Sequence, residues 1–165
     1  MTTQELQSQD LWNFLEDVKD PEVPVLSVVD LGVVREIENI ENNSWLITIT
    51  PTYSGCPAMQ VIEEGIKERL EQEGIRAQVK TVLSPAWTTD WLSENGRRKL
   101  KEYGIAPPVN EVDKSVLFAE QTPVPCPSCN STNTRMVSQF GSTACKAHYT
   151  CNDCLEPFDY FKCLK

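Results

Sequence analysis

Two Cys-x2-Cys pairs stand near the end of this chain, Cys126-Pro-Ser-Cys129 and Cys151-Asn-Asp-Cys154, with 21 residues between them. A Cys-x2-Cys turn presents two sulfurs to one metal, and two such turns complete a tetrahedral shell of four thiolates. Zinc is the expected ion. A single iron fits the same four sulfurs and is the rival. A closed four-thiolate shell leaves no open position for a substrate, so the expected role is structural. About forty residues bury little core, and a metal staple compensates for that.

Three further residues in this tail can do chemistry. Cys145 and Cys163 are left over, and the simplest reading makes them buried apolar side chains. His148 is the only histidine, which excludes any site within one chain that needs two or three imidazoles.

The seventh cysteine, Cys56, stands alone in Thr50-Pro-Thr-Tyr-Ser-Gly-Cys-Pro-Ala-Met59. Pro57 suits the first position of a helix, which puts Cys56 at or near its N-cap. There the helix terminus would favour a thiolate and lower the thiol pKa. No second cysteine lies within a Cys-x-x-Cys spacing of it, so dithiol exchange is not expected. Asp20-Pro-Glu-Val-Pro24 is a stiff turn with two carboxylates. It either stops a helix or places Asp20 and Glu22 as hard oxygen ligands beside the soft sulfur. Trp87 and Trp91 either cover Cys56 or belong to the core. Arg97, Arg98, Lys99 and Lys101 form a short basic run that reads as a solvated helix face.

The elements that would position these groups follow from periodicity. Leu11, Phe14, Leu15 and Val18 recur at helical spacing up to Asp20-Pro21. Val33 to Ile40 and Trp45 to Thr50 read as strands joined by a turn at Glu41-Asn42-Asn43-Ser44. Pro57 to Glu73 carries an apolar helical stripe at Met59, Ile62, Ile66 and Leu70, with Gly74 at its end. Ile75 to Leu83 is a third strand, and short helices follow around Thr89–Glu94 and Arg97–Tyr103. The strand–helix–strand run can make a right-handed crossover. The expected fold is an α/β (α+β) sandwich of order α-β-β-α-β-α, followed by a zinc-ribbon module with two short strands between its cysteine pairs.

Composition sets the outer limits. The chain has 165 residues and a formal net charge of −9. Residues 1–120 hold 21 acidic and 11 basic side chains, whereas residues 121–165 hold 3 and 4. The Pro-marked stretch from Gln121 to Pro125 is the expected boundary. The domains are thus a disordered tail over 1–10, an α/β domain over 11–120 and the ribbon over 121–165. The acidic balance disfavours nucleic acid, which is held by Lys and Arg. No apolar run approaches the ~20 residues of a transmembrane helix. The polar N-terminus does not read as a signal peptide, so the expected location is the cytoplasm.

Several of these motifs occur together in a known pattern. Asp20 to Pro24, Leu31-Gly32-Val33-Val34, Gly55-Cys56-Pro57 and Pro85-Ala86-Trp87 resemble the SufT-like, MIP18-like (DUF59) family of iron–sulfur assembly domains over residues 10–110. In the tail, Phe140 to Ala147 and Glu156 to Lys162 are similar to the D-subunit family of bacterial phenylacetyl-CoA epoxidase systems, and Gly104 to Pro108 fits it too. The resemblance implies an accessory maturation role in aerobic phenylacetate breakdown. In those systems a di-iron oxygenase works with a reductase that carries flavin and a plant-type [2Fe–2S] cluster. The implied partners are the reductase and the oxygenase subunits. The implied cargo is iron or an iron–sulfur cluster held transiently at Cys56, with Asp20 and Glu22 shaping the site. One free thiol is too few for a cluster, so a homodimer pairing two Cys56 side chains is a further expectation. A scaffold subunit is the alternative. Thioester chemistry at Cys56 is the weakest reading, because it lacks a base.

Overall fold

The computed structural model describes residues 6–53, 55–108 and 124–162. They fall into two compact units that divide between Ser93 and Glu94.

The first unit opens with α1 (Ser8–Leu15). This helix starts inside the stretch expected to be a tail. The Asp10 carboxylate accepts the Gln7 N–H at 2.9 Å, which satisfies a donor that a helix N-terminus otherwise leaves open. A hairpin of β1 (Val34–Glu41) and β2 (Ser44–Ile49) follows. Its turn needs a left-handed residue, and Asn43 supplies it at φ 61°. Trp45, Ile47 and Ile49 alternate inward from β2 and are at most 5% exposed.

From β2 the chain passes through α2 (Ala58–Glu71) to β3 (Arg76–Thr81), which pairs in parallel with β2. The sheet order is β1-β2-β3, with β1 and β2 antiparallel. Ala58, Ile62, Ile66 and Leu70 lie four residues apart along α2 and are all buried. α2 packs against β3 and against α1, whose Leu11 and Leu15 are fully buried. Each buried Leu or Ile side chain contributes roughly 1.5–3 kcal/mol. After α2, the Ile75 N–H returns to the Leu70 carbonyl at 3.0 Å, while Gly74 takes φ 73°. This is the helix stop expected of that glycine. A 3-10 turn (Thr89–Trp91) closes the unit.

The second unit begins with α3 (Glu94–Tyr103) and a two-residue strand, β4 (Ile105–Ala106). Then come β5 (Thr134–Ser138), β6 (Lys146–Cys151) and β7 (Pro157–Phe161). Their sheet order is β4-β7-β6-β5. β6 runs antiparallel to β5 and β7, and β4 runs parallel to β7 with Ile105 opposite Asp159. α3 and β4 therefore belong with the ribbon, and the division falls at Ser93/Glu94 instead of near residue 120. A two-residue strand carries no periodic signal, so the sequence assigned this stretch to the first domain. The expected linker falls mostly outside the described residues.

The core of this unit is small. Ala106, Val124, Cys126, Ala147, Tyr149, Cys151 and Phe158 are its buried members. Tyr149 stacks on Phe158 at a centroid distance of 5.8 Å and meets the edge of Tyr160 at 5.6 Å.

Candidate metal centre and thiol site

The four sulfurs of Cys126, Cys129, Cys151 and Cys154 lie within 4.8 Å of one another. Sulfur to sulfur, Cys126 and Cys154 are 3.7 Å apart, and Cys129 and Cys151 are 3.6 Å apart. Four sulfurs at about 2.3 Å from a central ion form a tetrahedron with an edge of ~3.8 Å. The donor set and the spacing both fit a four-coordinate metal.

The two knuckles repeat one local design. The Cys126 N–H donates to the Ser131 carbonyl at 2.9 Å, and the Cys151 N–H donates to the Glu156 carbonyl at 3.0 Å. The residue after the second cysteine is left-handed in both, Asn130 at φ 61° and Leu155 at φ 64°. Cys126 and Cys151 are buried in the small core, whereas Cys129 and Cys154 are exposed. The Cys154 N–H points at the Cys151 sulfur from 3.5 Å. That contact leads the influences that pull the Cys151 thiol down to about 7, against burial.

Among the described residues no other group of cysteine, histidine and carboxylate side chains forms such a cluster. His148 lies across the ladder from Asp159, with Nδ1 at 3.6 Å from Oδ1, and is not one of the four ligands. Cys145 is buried, with its sulfur 3.0 Å from the Thr143 hydroxyl, consistent with a packing role. Cys163 lies outside the described residues.

Cys56 sits in the other unit, in the loop between β2 and α2. Its N–H donates to the Tyr53 carbonyl at 3.3 Å, and Gly55 takes φ 78° to make the turn. Pro57 is the N-cap of α2, so Cys56 lies one residue before the cap. The consequence differs from the sequence expectation. Burial pushes the Cys56 thiol up, and the Ala58 N–H, the Tyr53 and Thr52 side chains offset this only in part. The Glu22 carboxylate raises it further. A half-buried thiol loses more hydration as a thiolate than one helix terminus restores.

The Glu22 carboxylate thus acts on the thiol through space, although 34 positions separate them in sequence. Asp20 has a different task. Its Oδ1 accepts the Glu22 N–H at 2.7 Å and the Val23 N–H at 2.9 Å, and the residue is only 7% exposed. It folds the loop that carries Glu22. Trp87 belongs to the core: it is buried and its indole N–H donates to the Leu31 carbonyl at 2.7 Å. Trp91 lies under the Arg35 guanidinium at 3.6 Å. On α3, Arg98 is engaged by Glu102 and Asn95, and Arg97 donates to the Pro108 carbonyl. The basic run is thus largely engaged within its own unit.

Sequence reasoning missed a buried polar group in the segment before β1. Asp30 is 2% exposed, and its Oδ2 accepts the Ser27 N–H at 3.2 Å. The Ser27 hydroxyl in turn donates to Glu16 at 2.9 Å. The one signal in the sequence was a single acid inside the apolar run Val28-Val29-Asp30-Leu31.

Comparison with known proteins agrees with both halves. Residues 8–86 match the family described as iron-sulfur cluster assembly protein. Residues 110–162 match the family described as PaaD zinc beta ribbon domain. The first unit is similar to a crystal structure of a DUF59 domain of unknown function from Bacillus anthracis. That likeness has 32% identity and a TM-score of 0.53 over 56% of this chain and 89% of that one. An Fe-S protein maturation auxiliary factor of Bacillus subtilis is 34% identical over 54% of this chain and 89% of its own length. Fold and site therefore define an iron–sulfur assembly domain of the DUF59 class joined to a four-cysteine ribbon. More narrowly, the chain belongs to the D-subunit family of 1,2-phenylacetyl-CoA epoxidase systems. It is 46% identical to the putative D-subunit of Escherichia coli over 96% of this chain and 94% of that relative.

Proposed function

We propose that this chain is a maturation factor of a phenylacetyl-CoA epoxidase system, carrying iron or an iron–sulfur cluster on Cys56 to the reductase subunit. The observation that carries this reading is the half-buried Cys56 thiol in its Gly-Cys-Pro turn, with the Glu22 carboxylate brought to it by the Asp20 loop. Relatives of that domain are named for iron–sulfur maturation. A thiolate beside a carboxylate suits iron, and a site with fewer than four thiols suits a cargo that must leave again. Two copies would bring two Cys56 thiols to one cluster. Burial of the thiol keeps it protonated and quiet until a metal displaces the proton.

The role is accessory rather than enzymatic. No histidine lies in the unit that holds Cys56. Zinc is the ion we assign to the four ribbon cysteines, Cys126, Cys129, Cys151 and Cys154. Bound there, it supplies a cross-link between knuckles that the small core of this unit does not supply alone. The assigned compartment is the cytoplasm. Among the described residues no helix is long and apolar enough to cross a membrane.

The test is the iron and acid-labile sulfide content of the reductase, purified from cells with this protein, without it, and with Cys56→Ser. Loss of the cluster in both deficient strains supports delivery through Cys56. A fully loaded reductase in all three ends the delivery reading and leaves a scaffold role.

A further inference from the structure

The sheet of the first unit has two faces, and its core accounts for one of them. Trp45, Ile47 and Ile49 point inward from β2 and are buried. Side chains alternate along a strand, so Ser44, Leu46 and Thr48 point the other way. The register carries that outer face onto the neighbouring strands. Opposite Ser44, Leu46 and Thr48 on β1 stand Glu41, Glu38 and Glu36. Opposite the same three on β3 stand Arg76, Gln78 and Lys80. All six of these flanking residues are exposed, and the three on β2 are half-buried.

The outer face is therefore striped. It is acidic along β1, neutral along β2 with Leu46 at its centre, and carries two cations and an amide along β3. Opposite charges stabilise a sheet when they stand directly across a strand pair. Here β2 holds them two strand spacings apart, about 9.6 Å. Among the described residues no ion pair joins the two stripes.

Two copies can lay this face on itself in two symmetric ways, with the two-fold axis in the plane between the sheets. An axis across the strands sets β1 on β1 and β3 on β3, acid against acid and base against base. An axis along β2 sets β1 of one copy over β3 of the other. Row by row, Glu41 then faces Arg76, Glu38 faces Gln78 and Glu36 faces Lys80, each twice, and Leu46 meets its own mate. Like-charge juxtaposition rejects the first arrangement and favours the second.

We infer that the outer face of the β1-β2-β3 sheet is a self-docking surface for a second copy of this chain, paired about an axis along β2. That geometry also sends both β2–α2 loops, each with its Cys56, to the same end of the pair. Only this use of the dimer rests on the proposed function; the pairing of the faces rests on their charges. Three strands of about six residues make a face of roughly 10 by 20 Å, well short of the ~800 Å² per partner of a stable interface. The pairing is thus weak and reversible.

The test is sedimentation equilibrium of the full-length, metal-loaded chain at concentrations up to about 1 mM. Salt is held near 0.15 M, which screens the repulsion between two chains of net charge −9 and leaves contact pairs largely intact. Wild type is expected to dimerise with a dissociation constant on the order of 0.1 mM. Glu36→Lys with Glu41→Lys removes the acidic stripe, and Arg76→Glu with Lys80→Glu removes the basic one. These side chains are exposed, so both variants are expected to keep their fold, checked by melting temperature. Each alone is expected to self-associate at least ~10-fold more weakly, and an equimolar mixture of the two to recover wild-type association or better. Wild type that stays monomeric overturns the second copy as the occupant. Dimerisation untouched by either pair of substitutions overturns this face. Loss in both variants without recovery on mixing overturns the complementarity of the stripes. Cluster content of the reductase is read separately: dimerisation as expected with a fully loaded reductase in cells lacking this protein ends the delivery reading and leaves the self-docking surface standing.

Discussion

Ser93 holds Asp30 twice: its N–H donates to the Asp30 carbonyl at 2.9 Å and its hydroxyl donates to Asp30 Oδ1 at 3.1 Å. The pair ties the end of the first unit to the segment that precedes β1. Removing the carboxylate in Asp30→Ala leaves the buried Ser27 N–H and the part-buried Ser93 hydroxyl without that acceptor. Each such orphan costs about 1–3 kcal/mol. Asp30→Ala should therefore lose about 2–4 kcal/mol in urea denaturation, and Ser93→Ala about 1 kcal/mol. Equal and small losses for both would show that the carboxylate is not the anchor.

Two glycines give a matched comparison. Gly32 and Gly55 are both left-handed, at φ 70° and 78°. A Cβ on Gly32 would stand 2.4 Å from the Trp91 carbonyl oxygen, whereas one on Gly55 would meet nothing within 4 Å. Gly55→Ala should cost only the backbone strain, about 1–2 kcal/mol. Gly32→Ala must also push the Trp91 backbone aside and should cost at least ~3 kcal/mol. Thermal melts of the two variants check the order, which reverses if the space around Gly32 is not what limits it.

Periodic elements were legible in the sequence, and non-periodic ones were not. The stripe Ile62, Ile66, Leu70 and the alternation Trp45, Ile47, Ile49 announce α2 and β2, because burial on one face repeats with the geometry of each element. The four ribbon cysteines were legible for a different reason: coordination chemistry fixes their spacing. β4 was not, since two residues show no period and its partner β7 lies about fifty positions away. Asp20 reads from sequence as a candidate ligand, yet its Oδ1 is taken up by the Glu22 and Val23 N–H groups, an assignment that only three dimensions reveal. The direction of the Cys56 shift was missed because the helix terminus is visible in sequence and the burial is not.

That shift makes a pH prediction. Cys56 is raised chiefly by burial, so its thiolate fraction stays below that of an exposed thiol at every pH up to the folded pKa. Iodoacetamide should modify it more slowly than a free cysteine at pH 8, and the gap should close only as the pH climbs past the value of the free thiol. Glu22→Gln removes a nearby negative charge and should speed the reaction by roughly two- to fivefold. Tyr53→Phe removes a side chain that favours the thiolate and should slow it. The linkage sign follows: a raised thiol pKa favours the fold below the unfolded value of about 8.5 and costs stability as the pH climbs through the folded value. A Glu22→Gln rate equal to wild type would place the carboxylate too far away to act.

Metal removal should separate the two units. The second unit rests on a small core that includes the ligands Cys126 and Cys151 themselves. The first has its own core of α1, α2 and β2 side chains, with no ligand in it. Stripping the metal leaves thiols 3.6–3.7 Å apart with no cation to hold them, and Cys151→Ser removes one of the four sulfurs. Binding energy at such sites is folding energy, on the order of 10 kcal/mol in small zinc domains. Amide signals of β5, β6 and β7 should therefore collapse toward unfolded shifts on chelation, while those of β1, β2 and β3 persist. One metal per chain by elemental analysis is expected beforehand, with zinc as the ion. Loss of both sets of signals together would mean that the first unit leans on the ribbon for its stability, and retention of both would mean that the ribbon core stands without its staple.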